Sequence, residues 1–140
     1  MKFNKIIAGA IVFATFAISA QAEIAVIVSR DNHNAKMSQD TVARIFLAKT
    51  SSFPNDEDAI AIDMKKGSDE HSAFTESFLE KTPNQLATYW SRLIFTGRAK
   101  PNKAVSSAKE MKKIISKNPN MIGYIDVADV DGTIRVVAKK

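Results

Sequence analysis

The sequence contains no cysteine, which excludes a disulfide framework, thiolate metal sites, iron–sulfur clusters and a cysteine nucleophile. Its two histidines, His33 and His71, lie in separate segments without a carboxylate cluster at ligand spacing, so we predict no metal site. The G-x-S-x-G elbow of α/β hydrolases and the nucleotide-binding P-loop are also missing. These absences predict a protein that is not an enzyme and needs no cofactor.

A continuous apolar run of about 18 residues, as a membrane span requires, is missing as well. The nearest approach is the stretch 6–20, which small and hydroxyl residues interrupt. Lys2 and Lys5 precede this stretch, and an A-x-A cleavage site follows it at residues 20–22. This arrangement is typical of a signal peptide. We therefore expect residues 1–22 to be removed and residues 23–140 to form one exported domain.

The charge is only mildly basic, with 20 Lys and Arg against 15 Asp and Glu. Hydrophobic residues make up 45% of the chain and charged residues 25%, values close to those of globular domains, so a packed core is expected. The basic residues are scattered rather than concentrated with aromatic residues. This pattern argues against nucleic acid as a partner.

Apolar periodicity and turn residues predict a small α/β domain with a largely parallel sheet flanked by helices in three layers. The last two strands are candidates for an antiparallel edge. Strands are predicted at residues 23–29, 59–64, 121–127 and 133–138. Helices are predicted at residues 39–48, after Ser38 as N-cap, and at residues 69–80, after Ser68. A third begins at a capping box at Thr82 and ends at Gly97, and a fourth begins at a capping box at Ser107 and ends at residue 118.

Two features beyond these elements leave alternatives open. Helical spacing favours a core position for four aromatic residues, with a ligand platform as the other interpretation; they are Phe46, Tyr89, Trp90 and Phe95. The basic stretch 92–103 is either a solvated connection or a docking face for a partner. Its basic residues are Arg92, Arg98, Lys100 and Lys103.

The candidate functional segment follows the second predicted strand. In α/β sheets, ligands bind at the carboxyl ends of strands, where helix N-termini present free N–H groups. Gly67 permits a tight turn, Ser68 fits the N-cap, and the backbone N–H groups of Asp69, Glu70 and His71 follow it. The segment predicts a site for a small oxyanion.

An ordinary helix cap explains the same residues. Asp69 and Glu70 complement the helix dipole by about 0.3–1 kcal/mol each, and their charge opposes an inorganic anion. Lys65 and Lys66 offset that charge only in part. The segment also holds a serine, an aspartate and a histidine, the residue types of a hydrolase. At the start of one helix they project in different directions, so no catalytic residue is predicted.

Several short segments carry a resemblance that spans almost all of residues 23–140. They are residues 25–29 (AVIVS), 45–49 (IFLAK), 67–74 (GSDEHSAF), 89–90 with 95–97 (YW, FTG), and 118–119 with 122–125 (NP, IGYI). In order and spacing they resemble the short, single-lobe phosphate ABC transporter substrate-binding proteins, which have the type 2 periplasmic-binding-protein fold. The resemblance implies a periplasmic, non-enzymatic domain equivalent to one lobe of a two-lobed anion receptor.

The resemblance also implies roles for residues near the second strand. In the two-lobed receptors, a serine-glycine-threonine run at the start of this helix donates hydrogen bonds to phosphate, and an arginine shortly before it pairs with the anion. Ser68 matches the serine. Asp69 and Glu70 stand in place of the glycine and threonine, and Met64 stands about where the arginine is.

Ser29 and Ser38, in and after the loop that follows the first strand, are further ligand candidates. A single lobe leaves its site open to water, so a homodimer mate, an ABC permease or another envelope protein would complete the cleft. Two functions are therefore expected as alternatives. One is a solute-binding-like protein that recognises phosphate or a related oxyanion in uptake or sensing. The other is a ligand-free periplasmic interaction or adaptor protein that retains the fold.

Overall fold

The computed structural model describes residues 14–15 and 22–140, and its first strand is the apolar run at the start of the predicted domain. The predicted signal peptide lies outside the described residues, apart from residues 14, 15 and 22. The strands are β1 (Ile24–Ser29), β2 (Ile60–Met64), β3 (Lys103–Val105), β4 (Met121–Asp126) and β5 (Ile134–Lys139). The helices are α1 (Gln39–Phe46), α2 (Asp69–Ser77), α3 (Pro83–Phe95) and α4 (Ala108–Lys117), with a 3₁₀ helix (Val127–Asp129) between β4 and β5. The predicted order is confirmed, except that β3 and the 3₁₀ helix are not among the predicted elements.

Each α-helix begins where the sequence predicts a capping hydroxyl. The capping side chains, each of which accepts the backbone N–H three residues on, are Ser38, Ser68, Thr82 and Ser107. The capping box at Thr82 is complete, because the Gln85 side chain accepts the Thr82 N–H at 3.0 Å. The box predicted at Ser107 is wrong in one half, because Glu110 accepts the N–H of Ser106 instead.

The five strands form one sheet in the order β3-β2-β4-β1-β5. β2 pairs parallel with β3 and β4, whereas β1 pairs antiparallel with β4 and β5. Four strands therefore run in one direction and β1 runs against them. The α/β architecture is as predicted, but the sheet is mixed rather than largely parallel, because two of its four pairings are antiparallel. β5 forms an antiparallel edge with β1, but β4 lies in the middle of the sheet.

Helices cover both faces of the sheet and complete three layers. On one face, the Tyr124 ring in β4 lies 5.7 Å from the Phe46 ring of α1 and 3.9 Å from the Phe74 ring of α2. On the other face, Gly123 lies directly against Met111 and Ile115 of α4. The alternation of side chains along β4 thus sends neighbouring residues into the two halves of the core.

α3 packs on the outside of α2 and is poorly buried. Phe46 lies in the core as predicted, and Tyr89 and Trp90 are half-buried. The core position predicted for Phe95 is wrong, because its side chain is 92% exposed. Leu86 is the buried residue of α3, and nine residues at about 100° each turn Phe95 to the opposite side of the helix.

The parallel strands place one connection at a defined edge. β2, β3 and β4 all end at the same edge of the sheet, so the β2–α2 connection lies there, as predicted. Ile24 pairs with Asp126, so β1 begins at this carboxyl edge and Ser29 lies at the opposite edge.

Candidate functional site

The connection from β2 to α2 turns at a glycine in the left-handed region. Gly67 has φ +87°, which residues with a Cβ rarely adopt. The Ser68 N–H donates to the Lys65 carbonyl at 3.1 Å, and the Lys65 N–H donates to the Val105 carbonyl at the end of β3 at 2.8 Å. These bonds hold the turn against the carboxyl edge of the sheet.

Ser68 begins α2 and satisfies part of its first turn. Its Oγ accepts the N–H of His71 at 3.2 Å, and its carbonyl accepts the N–H of Ser72 at 3.1 Å. The N–H groups of Asp69 and Glu70 have no acceptor within residues 22–140. The connection therefore presents two free N–H groups rather than the predicted three, because the cap occupies that of His71.

Charges of both signs surround these two N–H groups. Lys65, Lys66 and Asp69 are exposed, and Glu70 is half-buried. Met64 is only 2% exposed, so its side chain lies in the core and the connection has no cation at that position. The local charge is balanced, and the attraction for an anion rests on the N–H groups and the helix dipole.

A polar cluster of the half-buried Asp63 and Asn102 and the buried Tyr124 lies next to the connection. The Asp63 carboxylate accepts the Tyr124 hydroxyl at 2.8 Å and the Asn102 amide at 3.0 Å. The Tyr124 hydroxyl in turn accepts the Met64 N–H at 3.1 Å. Burial raises the pKa of Asp63, although its two hydrogen bonds act in the other direction. Burial and the Asp63 charge also raise the pKa of the Tyr124 hydroxyl.

His71 lies beside this cluster on the inner side of α2. Its side chain is 9% exposed. Burial lowers the pKa of His71, the nearby Asp63 charge raises it, and the Lys66 charge lowers it. The Ser68 hydroxyl bonds the His71 backbone rather than its ring, so the two side chains do not form a nucleophile–base pair.

The structure does not bring Ser29 and Ser38 to the connection. Ser29 is 1% exposed at the opposite edge of the sheet, where its Oγ accepts the Asp31 N–H at 3.2 Å. Ser38 caps α1, and the adjacent Gln39 side chain donates to the Phe78 carbonyl at the far end of α2. A helix of nine residues is about 13 Å long, so α2 separates Ser38 from Ser68. The candidate site consists of Gly67, Ser68, Asp69, Glu70 and His71.

The sequence patterns described above do not predict the cluster of Asp63, Asn102 and Tyr124. One signal is present in β2, IAIDM, where Asp63 is the single charged residue of an otherwise apolar strand. A carboxylate in such a strand needs hydrogen-bond donors from neighbouring elements. The identity of those donors depends on the pairing of β2 with β4, which local sequence does not specify.

The described part of the chain lacks two other features that would suggest a function. In residues 14–15 and 22–140, no group of three or more His, Asp or Glu side chains is placed to hold a metal ion. Over the same residues, no helix has both the length and the apolar character needed to cross a membrane.

Solved structures with the same fold include a phosphate transport receptor and a phosphate ABC transporter substrate-binding protein. An ABC-type phosphate transport receptor from Vibrio cholerae superposes with a TM-score of 0.63 at 16% identity, over 84% of this chain and 46% of the receptor. A phosphate ABC transporter substrate-binding protein with bound phosphate from Clostridium perfringens gives 0.66 at 20% identity, over 83% of this chain and 45% of that protein. PstS from Borrelia burgdorferi gives 0.61 at 16% identity, over 84% of this chain and 47% of that protein.

The chain has the fold of one periplasmic-binding-protein lobe. This lobe spans less than half the length of the three receptors it matches. No protein-family model and no curated protein matches the lobe. The fold expected from the resemblance is confirmed.

Proposed function

We propose that this lobe binds phosphate or a related small oxyanion at the start of α2. The observation that carries the proposal is the pair of free N–H groups at Asp69 and Glu70, on the carboxyl edge of a sheet with the fold of phosphate receptors. An oxyanion accepts hydrogen bonds from such groups. The helix dipole, equivalent to roughly half a positive charge at this end, favours the anion further.

The Ser68 hydroxyl adds a third donor. Its oxygen accepts the His71 N–H, which leaves its own proton free to point outward to the anion. Lys65 and Lys66 add a longer-range attraction. Because both lysines are exposed, salt screens that attraction, and binding is expected to weaken as the ionic strength rises.

The carboxylates of Asp69 and Glu70 select among oxyanions. They repel an anion that carries no proton, such as sulfate. Phosphate keeps a P–OH group near neutral pH, and this group can donate a hydrogen bond to a carboxylate. We therefore expect phosphate to bind better than sulfate.

Within the described residues the site is open to solvent, since Gly67 and Asp69 are exposed. A second protein surface would close over it. We propose an ABC permease or another envelope protein as that surface, with a second copy of this chain as the other arrangement that fits. The signal peptide predicted at residues 1–22 places this function in the periplasm, and phosphate uptake or sensing is the process that fits.

A second function is favoured by the same carboxylates and by the buried Met64. Here the chain is an interaction protein that retains the fold and binds no anion. The two functions differ in one property, which is saturable oxyanion binding by the chain itself.

Calorimetric titration of residues 23–140 with phosphate and with sulfate at low ionic strength tests the proposal. Ser68→Ala removes one donor to a charged group, so the affinity for phosphate should fall about tenfold or more. Ser38→Ala is the matched control, because Ser38 caps α1 in the same way and lies away from the site. The Ser38→Ala variant should bind phosphate with the affinity of the wild type.

The charge variants Asp69→Asn and Glu70→Gln keep both backbone N–H groups. Each should raise the affinity for sulfate by at least about fivefold, since one pair of like unit charges at close range costs about 1 kcal/mol in water and sulfate carries two charges. Absence of saturable heat for phosphate in the wild type and in both charge variants would refute oxyanion binding by this lobe. The interaction function would then remain.

A further inference from the structure

α3 presents an unusually uncharged surface to solvent. Leu86 is its single buried residue, yet Arg92 is the only charged residue among its 13. Ile94 is 48% exposed and Phe95 is 92% exposed. Solvated helices normally carry charged residues on their outer face, so this surface has the composition of one that is covered by a partner.

Phe95 is held at a rigid end of the helix. Gly97 follows it with φ +67°, its N–H donates to the Ile94 carbonyl at 3.1 Å, and the Arg98 N–H donates to the Leu93 carbonyl at 3.0 Å. These two bonds form the Schellman arrangement that ends helices. We name residues 94–98 the α3 tip. The Phe95 ring projects from the tip into solvent, on the side of α3 opposite the buried Leu86.

The charged residues of the chain segment that contains the tip have one sign. Residues 82–109 contain five Lys and Arg and no Asp or Glu, although the whole chain has 15 acidic residues. The four exposed basic side chains nearest the tip form no ion pair with an acid of residues 22–140. They are Arg92, Arg98, Lys100 and Lys103. The partner that complements them is negatively charged.

We infer that the α3 tip docks on the surface of a lipid bilayer that contains anionic headgroups, with Phe95 and Ile94 inserted among the headgroups and the basic residues paired with phosphates. Exposed aromatic and aliphatic side chains flanked by Lys and Arg are the chemistry of interfacial binding. The inference stands independently of the proposed anion site on α2.

The shape of the tip favours a bilayer over an acidic protein. Phe95 projects almost fully into solvent, and a deformable headgroup layer accommodates a projecting ring without a preformed pocket. Recognition by a protein would need a partner pocket matched to this ring. The single sign of charge over 28 residues also matches a surface of uniform charge better than a mosaic of both signs.

Co-sedimentation with vesicles tests the inference. Residues 23–140, which contain every strand, helix and core residue described above, are mixed with phosphatidylcholine vesicles with and without phosphatidylglycerol. The protein should sediment only with the phosphatidylglycerol vesicles, and high salt should release it. Phe95→Ser should weaken partitioning about tenfold, and Arg98→Gln about fivefold. Neither exposed change should disturb folding, which circular dichroism checks.

Matched controls lie elsewhere on the molecule. Val130→Ser changes another exposed apolar residue, 36% exposed on the connection between β4 and β5. Lys113→Gln removes one charge from α4, on the other face of the sheet. Both should sediment like the wild type. Equal sedimentation of Phe95→Ser and Val130→Ser would overturn the inference. Failure of the wild type to sediment with phosphatidylglycerol vesicles would also overturn the inference. An acidic protein would then be the partner to test at the α3 tip.

Discussion

Replacement of Tyr124 by Phe should destabilise the fold by about 3 kcal/mol. The hydroxyl donates to the Asp63 carboxylate at 2.8 Å and accepts the Met64 N–H at 3.1 Å, and Tyr124 itself is fully buried. Its removal leaves a buried N–H without an acceptor, which costs about 1–3 kcal/mol, and deprives a buried carboxylate of one of its two donors. The Phe ring keeps the stack on Phe74, so packing is preserved and the loss reports the polar cluster.

Urea unfolding followed by far-ultraviolet circular dichroism measures this loss. Tyr89→Phe is the matched control, because the half-buried Tyr89 donates one hydrogen bond, at 2.6 Å, to the Leu47 carbonyl. It should cost about 1 kcal/mol. If Tyr124→Phe cost no more than Tyr89→Phe, the cluster next to the connection would not be the stabilising element described here.

The same variant carries a pH signature. The Tyr124 hydrogen bond lowers the pKa of Asp63 against the larger effect of burial, so its removal raises that pKa further. A group whose pKa is higher in the folded than in the unfolded state stabilises the fold at pH values below its unfolded-state pKa. This contribution is lost as the pH rises through the folded-state pKa. The deficit of Tyr124→Phe relative to the wild type should therefore shrink as the pH falls from about 7 towards the unfolded value of about 4.

Two more predictions concern the core and α2. A Cβ at Gly123 would lie 2.4 Å from Met111 Sδ, so Gly123→Ala should lower the free energy of urea unfolding by about 1–3 kcal/mol. Gly132 has open space around it, so Gly132→Ala should change that free energy by less than about 0.5 kcal/mol. Equal effects of the two substitutions would contradict the packing of α4 on β4. Burial lowers the pKa of His71, so its stabilising contribution exists above the unfolded pKa of about 6.5 and is lost as the pH falls through the folded pKa. The wild type should thus lose stability relative to His71→Gln between about pH 7.5 and about pH 5. Stability profiles that stay parallel for the wild type and His71→Gln over this range would contradict the buried position of the ring.

The sequence predicts most of the fold because its signals are local. The caps Ser68 and Thr82 and the apolar run of β1 mark element boundaries that depend on neighbouring residues alone. The connection at Gly67 follows from such boundaries too, since a strand, a glycine and a capping serine occur in sequence.

Features that depend on distant pairing are not predictable in this way. β3 has three residues, too few for a periodic pattern, and forms because the end of β2 offers it a parallel partner. The antiparallel position of β1 is set by β4 and β5, which follow it at the far end of the chain. Helical spacing predicts a core position for Phe95, as for the other aromatic residues. A helix buries only the side that its neighbour covers, and Phe95 lies on the uncovered side of α3.

The central claim is that phosphate contacts the free backbone N–H groups at the start of α2, and amide chemical shifts of residues 23–140 measure this contact directly. During a phosphate titration, the amide resonances of Asp69 and Glu70 should shift and saturate, and sulfate should move them less at equal concentration. In Ser68→Ala the same resonances should need about tenfold more phosphate, or more, to reach the same shift. Saturable shifts confined to other parts of the chain, or none at all, would contradict the site.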